Sequence, residues 1–287
     1  MSEADVIHDI GYQRYDGPRL SRPAVFGALY QHGLRAAFGL GRTAKAKIFP
    51  WLVAAIVTLV AVIVAGVRAK TGLVIFNYIQ FDDTMAWLVI FFVAIVAPEL
   101  VSRDMRSGVL PLYFSRPLRA ADYVGAKVAA LITAVWLLLG VPQFVMFLGA
   151  AFTTKTGMRG VWHELGDLLP GWGYSLLWAV IFTGLGLLIA SLTGKRAFAA
   201  GGIVAVFLMT TPVVGVLSIL PSTTAQELAG LASPMSLISG VGQWLISGAN
   251  TGLNIGRFGP IYGIEFVCLV AACLLLLLAR YRKVASL

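Results

Sequence analysis

Long apolar runs separated by short polar connections dominate the chain. Runs at about 48–67 (IFPWLVAAIVTLVAVIVAGV), 74–99, 124–152, 171–192, 197–220 and 259–279 approach the roughly 20 residues that cross about 30 Å of hydrocarbon. The second is continuously apolar only from about residue 84, and reaches full length by starting near Leu73. Pro142 and Pro212 fall inside the third and fifth runs, where membrane helices tolerate a kink. The pattern predicts an all-α, polytopic membrane protein with six transmembrane helices forming one domain over 24–287, after a polar N-terminal segment at 1–23.

Two connections carry helical periodicity of their own. In 24–47, Val25, Leu29, His32, Ala36 and Leu40 fall near one face, with Arg35, Arg42, Lys45 and Lys47 elsewhere. This predicts an amphipathic helix lying in the membrane interface; a plain basic tether is the alternative. Within the long connection 221–258, outer helices are expected over about 225–248. Ser233 is placed as an N-cap and Pro234 as the first helical residue, with Leu237, Val241, Trp244 and Leu245 toward one side.

Composition agrees with the runs. Of 287 residues 59% are apolar and 12% charged, and the mean hydropathy is +0.85, outside the range of soluble domains. The net charge of +9 fits basic loops facing anionic lipid better than nucleic acid, since no basic domain stands apart from the spans. Seventeen of the 22 Lys and Arg fall before the first run, in the second and fourth connections, and after the last run. The asymmetry predicts a multi-pass protein of the cell membrane with both termini cytoplasmic. The polar start predicts no signal peptide, so the first span would drive insertion.

Little in the chain suggests catalysis. His8, His32 and His163 are scattered without metal-ligand spacing. Cys268 and Cys273, five apart on one helix, point about 140° away from each other and cannot bridge within the chain. No phosphate-binding loop occurs: SLTGKRA at 191–197 lacks the first glycine spacing and a Ser or Thr after Lys195. Among polar residues in the runs, Gln143 beside Pro142 is expected to satisfy the kinked backbone or face a partner helix. Thr210 and Thr211 before Pro212 either back-bond to their helix or line a route. The only carboxylates near the spans by this pattern are Glu99 and Glu265, both toward span ends.

The second connection is unusual. RDMRSGVLPLYFSRPLRAADYVGAK (103–127) mixes five basic residues with a half-apolar, proline-broken segment. At 100° per residue Val101, Met105, Val109 and Leu112 share one side, and Arg103 and Arg106 take the other. Glu99 and Arg103 form an i,i+4 pair, Pro111 ends or bends the helix, and Asp122 opens the next helix where a carboxylate suits the dipole. Such an element inserts apolar side chains into a partner's groove, or lies on lipid.

This stretch resembles the membrane subunit of ATP-binding cassette (ABC) type-2 exporters. The matching positions are Glu99, Arg103, Asp104, Gly108, Leu110, Ser115, Arg116, Pro117, Leu118, Arg119, Asp122, Tyr123, Gly125 and Lys127, joined by Ser233, Pro234 and Leu237 before the last span. The N-terminal IHDIGYQRYDGPRL looks like actinobacterial members. The resemblance implies that region 101–118 holds a coupling helix docking on a separate ATPase subunit. Val101, Met105, Val109 and Leu112 would then fill its groove, Arg103 and Arg106 would position it, and Glu99 and Arg103 would link it to the N-terminal helix. It further implies two ATPase copies, a second permease copy or a paralogue, and a route lined by the second and fifth spans, where Phe91, Phe92, Met209 and Thr210 lie. The chain would not itself be an enzyme and would carry no cofactor, since ATP and Mg would sit on the ATPase. An apolar lining suits a hydrophobic or amphipathic cargo such as a drug, natural product, peptide or lipid. The competing readings are a non-transporting immunity or sensor subunit, and an ion-coupled secondary transporter, which calls for carboxylates inside the bilayer.

Overall fold

A computed structural model describes residues 21–102, 104, 119–246, 249 and 251–285. Helix α1 (Arg22–Ala37) has proline in its first turn, where the missing N–H costs nothing. Helix α2 (Ala44–Thr71) ends at Gly72, whose φ of 75° suits glycine. Helix α3 (Tyr78–Leu100) starts with a capping box: Asn77 Oδ1 accepts from Gln80 N at 2.7 Å, and Gln80 Oε1 accepts from Asn77 N at 3.2 Å. Then come α4 (Ala120–Thr153), α5 (Met158–Leu192), α6 (Arg196–Ser218), the short α7 (Thr223–Leu228), a 3₁₀ turn (Ala229–Ala232), α8 (Pro234–Leu245) and α9 (Gly259–Ala285). Among the described residues there is no strand.

Six of these helices, α2, α3, α4, α5, α6 and α9, are long and apolar enough to cross a membrane. The described chain is therefore an all-helical, multi-pass membrane protein. With six crossings, α2 begins and α9 ends on the same side, called here the terminal end. Helices α3, α4 and α5 form the centre, with α2 and α1 against α4, α6 against α3 and α5, and α9 against α5 and α4. Small residues let the helices close up where apolar burial cannot drive them together. A Cβ on Gly149 of α4 would stand 2.6 Å from the Ala65 methyl of α2, and one on Gly186 of α5 would stand 2.5 Å from Val93 of α3. Phe182 and Phe207 stack with centroids 4.1 Å apart and join α5 to α6. Apart from Ala199, Ile203 and Phe207, α6 buries nothing.

One boundary differs clearly from the hydrophobic runs. Helix α5 starts at Met158, not near 171, because the polar turns MRGVWHELGDLLP continue the helix and Pro170 is accommodated within it. At 35 residues it is about 52 Å long, well beyond the hydrocarbon thickness. Helix α3 starts at Tyr78, so FDDT lies inside it. In α1 the buried stripe is Leu29, Gly33 and Ala37, whereas His32 is exposed and Leu40, exposed too, lies in the turn after the helix. The face is turned because Gly33 seats against α4, where an added Cβ would lie 2.8 Å from the Ala130 methyl.

Candidate functional site

Charged side chains converge at the terminal end of the bundle. Glu99, in the last turn of α3, pairs with Arg42 Nη1 at 2.6 Å and also with Arg196. The first arginine lies between α1 and α2 and the second opens α6, so one carboxylate ties three parts of the fold. Just beyond α3, Ser102 is fully buried and donates to the carbonyl of Ala190 in α5 at 2.7 Å. Asp104 Oδ2 accepts from the Tyr123 hydroxyl at 2.7 Å and meets Lys127 Nζ at 2.8 Å. Tyr123 packs on Tyr281 of α9 with centroids 5.1 Å apart.

One residue before Tyr123, Asp122 caps its own helix by accepting from the Arg119 backbone N–H at 3.2 Å. It also takes two bonds from Arg22 of α1, at 2.6 and 2.8 Å. Those bonds hold the Arg22 guanidinium above its ordinary pKa. Residues 105–118 leave from Asp104 and return at Arg119, so both ends of that segment are anchored by ion pairs and by Ser102.

The residues expected to do the coupling fall into two groups. Arg103, Met105, Arg106, Val109 and Leu112 lie outside the described residues. Glu99 is placed in the charged cluster, and Val101 is buried in the chain's own core at 2% exposure. A side chain so enclosed is not free to enter another protein's groove, which removes Val101 from the docking set. On the expected route, Phe92 is wholly buried against Phe38, with centroids 5.9 Å apart, while Phe91 and Met209 are exposed. Thr210 donates to the Val206 carbonyl at 2.8 Å and contacts Ser233 Oγ at 3.2 Å; Thr211 donates to Phe207 O at 3.0 Å. Both threonines thus back-bond to their helix, and Ser233 spends its hydroxyl on α6 instead of capping α8.

A second polar site lies in the other half of the bundle. Asp82, the fifth residue of α3, is fully buried; Ser175 Oγ donates to its Oδ2 at 2.6 Å and Gln143 Nε2 to its Oδ1 at 2.7 Å. Gln143 also reaches the Tyr78 carbonyl at 3.1 Å, so it faces partner helices instead of repairing its own kink. Asp83 accepts from the Tyr174 hydroxyl at 2.6 Å and lines a cavity with Gln80, Thr84 and Thr251. No Lys or Arg ion-pairs with Asp82 or Asp83 among the described residues. This site corrects the expectation that only Glu99 and Glu265 place carboxylates near the spans. The run at 74–99 contains both aspartates, and the signal that fixes them inside the helix is N-x-x-Q at 77–80, the capping box that opens α3.

No protein-family model matches the chain, and no curated protein matches it. Fold and site define a multi-pass helical membrane protein with an ion-paired terminal end and a buried polar cluster across α3, α4 and α5.

Proposed function

We propose that the chain is the membrane permease subunit of an ABC transporter of the type-2 exporter kind, driven by a separate ATPase and exporting a hydrophobic or amphipathic compound. The observation that carries this reading is the convergence at the terminal end. Glu99, Asp104, Asp122, Tyr123 and Lys127, which the resemblance marks along the sequence, come together around the two ends of segment 105–118. A segment that transmits force from a docked ATPase needs rigid ends, and ion pairs backed by buried hydrogen bonds supply them. Glu99 then links the segment to α1, α2 and α6, so a push on it reaches the first and fifth spans together.

In this reading the terminal end faces the cytoplasm of a plasma-membrane protein. ATP and Mg belong to two copies of the ATPase, and a second permease copy or a paralogue completes the route. The exposed length of α6, with Met209 and Val213, supports a partner or lipid on that side.

Vesicles holding the permease and its ATPase should accumulate an amphipathic dye only when ATP is supplied outside, where the terminal end is exposed. The permease alone should hydrolyse no ATP. Dye uptake driven by an ion gradient without nucleotide would contradict the proposal. Orientation has its own check: in intact cells a cysteine at Ser222 should react with an impermeant label and one at Ser21 should not.

Asp82 favours a second reading, an ion-coupled secondary transporter, because an intramembrane carboxylate without a cation partner is a functional hypothesis in its own right. The same vesicles decide between the two, since the second reading predicts gradient-driven uptake that Asp82→Asn abolishes.

A further inference from the structure

At the end opposite the termini, α5 projects beyond its apolar part and carries His163, Glu164 and Asp167 on its exposed turns. We propose that these three residues bind a first-row divalent cation such as Zn²⁺, with Tyr78 and Arg68 controlling the site. One ligand atom from each of His163, Glu164 and Asp167 lies within 4.8 Å of the others. His163 Nδ1 and Asp167 Oδ2, one helical turn apart, are already 3.3 Å apart. Metal bonds of about 2.1 Å in a tetrahedral site place neighbouring ligand atoms roughly 3.4 Å apart, so this pair stands at chelating distance. Imidazole with carboxylate is a donor set that suits zinc and its neighbours, and not calcium or magnesium.

The observation that points to a ligand is Tyr78. This residue is 6% exposed, and its hydroxyl faces the Glu164 carboxylate without making a hydrogen bond of ordinary length. It lines a cavity of about 300 Å³ together with Arg68, Glu164, Asp167, Met146 and Pro170. A buried hydroxyl without a close partner destabilises the fold. Water or hydroxide on a cation held by Glu164 and Asp167 would give the Tyr78 hydroxyl a hydrogen-bond partner.

Arg68 acts as the brake. Its guanidinium binds both oxygens of Glu164, Nη1 donating to Oε2 at 3.0 Å. Each carboxylate oxygen keeps a second lone pair for a metal, but the arginine's charge opposes the cation at short range. The geometry therefore predicts opposite effects for two neighbours. Removing His163 deletes a ligand; removing Arg68 frees one.

Zn²⁺ titration of the purified, tag-free full chain by calorimetry tests this. The parent should show one saturable site. His163→Ala, a change at an exposed side chain, should weaken it about tenfold or more, and Tyr78→Phe by a few-fold, as expected for a ligand and for an outer partner. Arg68→Met should tighten binding severalfold, and Arg68→Lys, which keeps the charge, should not. Should Arg68→Met fail to fold, the His163→Ala and Tyr78→Phe pair still decides. No saturable site in the parent, or unchanged affinity in His163→Ala, would overturn the proposal.

Discussion

At the terminal end Glu99 meets two guanidiniums, Asp104 an ammonium and Asp122 a guanidinium, whereas Asp82, 17 residues back along α3 and about 25 Å away, meets only a serine and a glutamine. The first group joins helices by opposite charges at a partly wet rim. Salt screens such contacts where they are exposed. The second joins α3, α4 and α5 through neutral donors in a dry interior. There water cannot take the place of a lost partner. One chain thus uses carboxylates as ionic ties between helices at one end and as acceptors of neutral donors in a buried polar core in the other half.

The sharpest break in that comparison is Asp82→Ala. It removes the shared acceptor of the Ser175 hydroxyl and the Gln143 amide, leaving them the Gly171 and Tyr78 carbonyls, so stability should fall by about 2 kcal/mol, seen as an earlier thermal unfolding transition in detergent. Asp82→Asn keeps an acceptor and should recover most of the loss. A smaller effect is expected from Glu99→Gln, because its partners Arg42 and Arg196 are partly exposed and can turn to water: about 1 kcal/mol. That loss should shrink in 1 M NaCl, where the screening length is about 3 Å, while the Asp82→Ala loss should not. The smallest change belongs to Arg22→Ala, whose guanidinium is exposed; its transition should stay within the scatter of the parent's. If salt reduces the effects of Asp82→Ala and Glu99→Gln equally, the two regions do not differ as described.

The six spans were legible because transmembrane length and apolarity are set by the bilayer alone. What escaped were features made by tertiary contact. The run at 74–99 enclosed Asp82 and Asp83, but their place in a polar core shows only when Gln143 and Ser175 are brought beside them. The α1 face was misjudged because Gly33 counts as nothing on a hydrophobic scale, yet its missing side chain is what lets α1 seat on Ala130. Similarly, Val101 has the spacing of a docking residue and lies in the core. The i,i+4 spacing paired Glu99 with Arg103, while the fold brings Arg42 and Arg196 to it from 57 and 97 residues away. Chain spacing finds neighbours on one helix and is blind to neighbours on another.

The proposal that the terminal end docks an ATPase meets its most direct test in segment 105–118. Apolar anchors carry most of a helix-in-groove contact, and burying one such side chain is worth about 1.5–3 kcal/mol against roughly 0–1 for an exposed ion pair. Met105→Asp deletes an anchor and puts a carboxylate in its place, whereas Arg106→Ala removes only a flanking charge. Co-purification of the ATPase from the same membranes, normalised to permease, should therefore fall at least tenfold for Met105→Asp and less than threefold for Arg106→Ala, about 1.4 and 0.6 kcal/mol. An unchanged yield of ATPase with Met105→Asp would contradict the account.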